Sequence, residues 1–119
     1  MIGGILVALI AALHVYILVL EMVLWETPRA RKAFGTTAEF AAASRVLAAN
    51  QGLYNGFLAA GLVWTLWLGV SGEGRAAALF FLGCVLVAGV FGAVTASKRI
   101  LFVQAVAAAV GIIAVLIGI

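Results

Sequence analysis

A histidine and a glutamate, His14 and Glu21, stand seven residues apart in LHVYILVLEM, a stretch that is otherwise almost wholly apolar. A carboxylate can accept a proton or hold a cation, and an imidazole held near it can relay protons or bind a polar group. On a helix seven residues make two turns, so both side chains fall on one face. The amides and phenol that could complete a site follow in AANQGLYNG, as Asn50, Gln51, Tyr54 and Asn55, with Gln104 in a later apolar segment. One histidine, one cysteine elsewhere (Cys84) and one carboxylate do not make a metal-ligand set, so no metal is expected. No glycine-rich nucleotide fingerprint points to a cofactor either.

These residues need elements to hold them, and composition says what the elements are. Of 119 residues 67% are hydrophobic and only 9% charged, with a mean hydropathy of +1.32, too little polar surface for a soluble domain of this size. The class is integral membrane, in one domain over residues 1–119. A span needs about 20 apolar residues. Four segments qualify, at about 2–25, 46–70, 76–94 and 100–119, and the expected fold is an all-α four-helix bundle in the membrane. The first run has no basic residues before it and no small-residue cleavage site after it, so it is expected to stay in the mature protein. The lone Cys84 reports no redox compartment.

The connections differ. SGEGR (71–75) and TASKR (95–99) read as tight turns between antiparallel neighbours, with Thr95 and Ser97 as possible caps. Residues 26–45 form a longer, interfacial connection with structure of its own. Thr27 before Pro28 reads as an N-cap with proline in the first turn, and Gly35 as the stop of that short helix. Thr36 with Glu39 fits a capping box for a second helix that runs on into span two. Phe34 and Phe40 are expected to dip into the interface while Arg29, Arg31, Lys32 and Arg45 meet lipid phosphates. Trp25, Trp64 and Trp67 read as an interfacial belt.

The net charge of +3 forms no face that would fit nucleic acid, and none is expected as a partner. It sets topology instead. Arg29, Arg31, Lys32, Arg45, Lys98 and Arg99 share one side, against Arg75 alone on the other. The positive-inside rule then places both termini outside the cytoplasm, in a bacterial-type inner membrane or a plasma membrane.

Depth sorts the polar residues. Counted from Trp25, Glu21 lies ~6 Å in and His14 ~16 Å; from Arg45, Asn50 and Gln51 lie ~8–9 Å in, Tyr54 and Asn55 ~14–15 Å; from Arg99, Gln104 lies ~8 Å in. Glu21 therefore matches Asn50, Gln51 and Gln104 in level, and His14 matches Tyr54 and Asn55. The other half holds little that is polar except Thr65. A polar cluster inside the bundle, reached from the cytoplasm, is expected. His14 near the midplane is expected as the uncharged ring, since an ion there would be stripped of water. Against this stands a plainer account, in which the amides are interhelical hydrogen-bond glue worth ~0.6–2 kcal/mol each and Glu21 pairs with Arg29 or Arg45. Gly52 with Gly56, and Gly89 with Ala93, read as close-packing pairs.

Taken together, LHVYILVLEMVLWETPRARKAFG and AANQGLYNGFLAAGL resemble a family of small four-span membrane proteins classed as domain of unknown function 1304. The resemblance covers essentially the whole chain, and the family pattern carries His14, Glu21, Pro28, Asn50, Gln51, Tyr54 and Asn55 as they stand here. It implies the fold and topology and supplies no activity. Some members bear an "epimerase" label, which no nucleotide-binding motif in this sequence supports.

Three functions compete. The first is a site within the membrane in which Glu21 is a proton acceptor or counter-charge, His14 its relay, and the amides orient a small or lipid-like ligand, with or without catalysis. The second is a transporter working as a homodimer around Glu21, weakened by the position of Glu21 off the midplane and by the strong charge bias. The third is a structural accessory subunit.

Overall fold

The computed structural model describes residues 1–96 and 99–119; Ser97 and Lys98, and with them one proposed cap and one charge of the basic surplus, lie outside the described residues. It is all-helical among those residues: α1 (Ile2–Met22), α2 (Pro28–Phe34), α3 (Ala38–Leu68), α4 (Arg75–Ala96) and α5 (Arg99–Ile117). Four of these, α1, α3, α4 and α5, are long and apolar enough to cross a membrane. The protein is a membrane protein built as a four-helix bundle, with α2 as the short extra helix. α1 packs on α3 and α5, and α4 packs on α5 and α3, so the four close into an antiparallel ring.

Local chemistry explains most boundaries. Thr27 caps α2, accepting from Ala30 N–H, with Pro28 at the first helical position. Gly35 ends α2 at φ 67, a left-handed conformation that glycine adopts without strain. The next cap is Thr37, which accepts from Phe40 N–H at 3.1 Å, and not Thr36. Thr36 is taken up by the end of α2, because its N–H donates to the Arg31 carbonyl at 3.0 Å. As expected, α3 then runs unbroken from the connection into the second span, 31 residues or about 46 Å, which matches the 47 Å long axis of the molecule. The α3–α4 turn takes residues 69–74, with Gly69 at φ 92.

α1 ends at Met22, three residues before the expected Trp25. The chain turns there, with the Thr27 hydroxyl and N–H both donating to the Leu24 carbonyl, at 2.6 and 2.9 Å. The turn folds Trp25 inward. Its ring lies 5.1 Å from that of Phe34, and its indole N–H donates to Ser44 Oγ at 3.1 Å. Trp25 and Phe34 are therefore packed in the protein core and not turned out toward lipid. A buried indole needs a hydrogen-bond acceptor, and only the folded connection supplies Ser44. Phe40, Trp64 and Trp67 stay exposed.

The core is unlike at its two ends. At the end that holds both termini, all four long helices contribute, for example Val7, Leu62, Leu82 and Ala108. At the basic end the cluster draws Ile17, Leu20, Trp25, Ala30, Phe34 and Ala48 from α1, α2, α3 and their links, and α4 contributes none. α3 and α4 meet where Gly61 lies under the ring of Phe81, and they part beyond it.

Candidate functional site

The gap where α4 stands away is a cavity of about 790 Å³ between α3 and α4, floored by α1 and α5 and bounded by the α2–α3 link. Its apolar wall includes Ile17, Trp25, Phe34, Phe40, Phe91 and Leu101. Its polar lining includes Glu21, Gln51, Asn55 and Gln104, joined by Thr36 and Thr95. No Lys, Arg or His among the described residues lines it.

Glycine contacts set the register that builds this lining. On α3, Gly52 lies so close to α1 that an added Cβ would stand 3.1 Å from Glu21 Cβ and 3.2 Å from the Leu18 carbonyl oxygen. Asn55 is three residues further on the same face, and its amide donates to Glu21 Oε1 at 2.5 Å and to the Gln51 carbonyl at 3.2 Å. Side chains lean toward the N-terminus of their own helix. The antiparallel pair therefore brings the shallower Glu21 and the deeper Asn55 together.

α1 and α5 are registered by Gly3 against Val115. Eleven residues along each antiparallel helix, that contact brings His14 to Gln104. The Gln104 amide nitrogen lies 2.7 Å from His14 Nε2, and His14 Nδ1 lies 2.8 Å from the Ile10 carbonyl. A carbonyl only accepts, so Nδ1 carries the hydrogen and Nε2 of the neutral ring accepts from Gln104. His14 is fully buried behind Gln104.

The pairing thus differs from the one that depth alone predicts. Counting from Trp25 included three residues that are not helical, and counting cannot see register between helices. His14 meets Gln104, not Tyr54 or Asn55. Glu21 meets Asn55, not Arg29 or Arg45; Arg45 stands 3.8 Å from Glu26 instead, with both side chains well exposed. Asn50 and Tyr54 lie on the exposed side of α3 outside this cavity, the Tyr54 ring 6.0 Å from Phe57. Thr65 is buried and donates to the Leu62 carbonyl. Among the described residues no group of three potential metal ligands is present.

Two features escaped sequence reasoning. Thr36 Oγ1 is buried in the lining with no hydrogen-bond partner among the described residues. Its only signal was the pair of threonines after Gly35. Thr95, a possible cap by its place near a helix end, donates back to the Phe91 carbonyl at 2.7 Å within α4 and joins the lining.

The chemical character of the cavity follows. Glu21 has one oxygen engaged by Asn55, and its other has no partner among the described residues and is not sealed from the cavity. Asn55 and Gln104 both use their amide nitrogens within the protein, leaving their oxygens to offer. Apart from the Gln51 amide and the threonine hydroxyls, which donate as well as accept, the cavity therefore presents acceptors and one carboxylate.

The family model for proteins of unknown function DUF1304 matches residues 8–116. The chain belongs to the DUF1304 family. No curated protein and no solved structure matches the chain. The DUF1304 match covers most of α1, all of α3 and α4 and all but the last residue of α5, and with them both cavity walls and the His14–Gln104 and Glu21–Asn55 pairs.

Proposed function

We propose that this protein binds, within the membrane and from its basic, cytoplasmic side, a small amphipathic molecule whose polar end carries hydrogen-bond donors or a positive charge. Glu21 is the counter-charge and acceptor, Asn55 holds it, and Gln104, set by His14, offers a second acceptor. The aromatic wall takes the apolar part. The observation that carries this reading is the Glu21–Asn55 pair on the wall of an open-sided cavity free of basic side chains among the described residues.

Magnitudes argue against glue alone. A charged side chain at a helix centre costs about 2.5–3.5 kcal/mol to insert, less near the end, whereas an interhelical hydrogen bond returns about 0.6–1.7 kcal/mol. A neutral glutamine would serve packing better than Glu21. A bound cation or donor gives the carboxylate its use.

The test is native mass spectrometry of the protein released from gentle detergent. Wild type is expected to retain a discrete added mass that Glu21→Gln loses. Ala88→Trp, which fills the α4 wall and leaves Glu21 intact, is expected to lose it too. Bare chains in all three would defeat the proposal.

A further inference from the structure

A second pocket, about 870 Å³, lies across α1 from the first, between α1, α2 and α5. Its polar lining is Arg29 and Lys32 of α2, Arg99 at the start of α5, and Tyr16 of α1. Leu13, Ile100 and Val103 form its apolar wall. The three cations come from elements 67 residues apart in sequence, 99 against 32, and the fold brings them to one opening. Among the described residues the single carboxylate–cation pair is Glu26 with Arg45, so none of the three is neutralised by the protein.

Like charges gathered without a counter-charge repel one another, and an anion relieves the repulsion. Guanidinium groups match phosphate geometry through paired N–H donors, and lysine adds a point charge. The apolar wall decides which phosphate. Leu13 and Val103 neighbour His14 and Gln104 in sequence, so the wall reaches as deep as that buried pair, below the level of the cations. A free phosphate ion has no use for such a wall, whereas an acyl chain beneath a phosphate headgroup does. Basic pockets between membrane helices hold anionic headgroups in this way.

We infer that Arg29, Lys32, Arg99 and Tyr16 form a site for the phosphate headgroup of an anionic membrane lipid, with Leu13, Ile100 and Val103 receiving the start of its chains. Arg45, exposed and paired with Glu26, lies outside it.

The protein is reconstituted in an equal mixture of phosphatidylglycerol and phosphatidylcholine, and the lipids retained on release are weighed by native mass spectrometry. Wild type is expected to retain phosphatidylglycerol selectively. Each neutralisation to glutamine at 29, 32 or 99 is expected to lower that preference about fivefold, and Arg45→Gln to leave it unchanged. Val103→Trp, which blocks the apolar wall and keeps every charge, is expected to lower lipid retention as well. Equal retention of both lipids by wild type would overturn the site. So would a loss no greater at 29, 32 and 99 than at 45. Binding of inorganic phosphate in lipid-free detergent, dependent on the same three cations and indifferent to Val103→Trp, would overturn the lipid assignment in favour of a soluble phosphate.

Discussion

The two pockets flank the same helix and are opposite in character. One has a carboxylate and amide oxygens with no basic side chain among its described lining; the other has three cations and no carboxylate. That helix is α1, and α2 with its entry turn continues the division beyond the end of α1. Trp25 in the entry turn and Phe34 face the first pocket, while Arg29 and Lys32, on the same seven-residue helix as Phe34, face the second. A chain with 9% charged residues has thus separated its signs across one helix where mutual pairing would have cancelled them. Such segregation is the basis for proposing two ligands of opposite polarity.

The comparison can be broken most forcefully at the α1–α3 contact. Gly52→Leu drives a side chain into Met22 and the Leu18 carbonyl, and is expected to cost about 3 kcal/mol or more in thermal or denaturant unfolding in detergent. It should abolish retention in the acceptor cavity whether or not the lipid pocket persists.

A crossed experiment sharpens the contrast without disturbing the fold. Glu21→Gln removes a charge-assisted interaction of about 1.5–3 kcal/mol, so ligand retention is expected to fall at least about tenfold. Its preference for anionic lipid should not change. The combined glutamine variant at Arg29, Lys32 and Arg99 should show the reverse pattern. Loss of both ligands in either variant would mean that the pockets act as one.

Behind the cavity, His14→Leu leaves the Gln104 amide buried without its acceptor, and is expected to destabilise by about 1–3 kcal/mol. Adding Gln104→Leu removes the orphan and should recover part of that loss. A double variant no more stable than the single one would show that the pair is not coupled. Least affected should be Glu26→Gln, since its pair with Arg45 is exposed at both ends; a change of about 0.5 kcal/mol or less is expected in the same unfolding measurement.

Hydropathy and length determine the four apolar helices, because a continuous apolar run of about 20 residues satisfies its own backbone groups in lipid only by coiling into a helix. Thr27, Pro28 and Gly35 likewise announce α2 by local chemistry, and the rarity of polar atoms in apolar segments marks His14, Glu21 and Gln104 on sight. Tertiary structure alone decides which of them meet. The partners follow from Gly52 against α1 and Gly3 against Val115, contacts that no count along one helix contains. Trp25 could not be recognised as core until the connection folded Ser44 beneath it, and Thr36 was lost to the cap because Arg31 held its amide. Arg99 joins Arg29 and Lys32 only when α5 packs beside α1 and α2. Spacing along a chain sets which face of a helix a side chain occupies. Register between helices sets what that face touches, and here the chemistry depends on the touch.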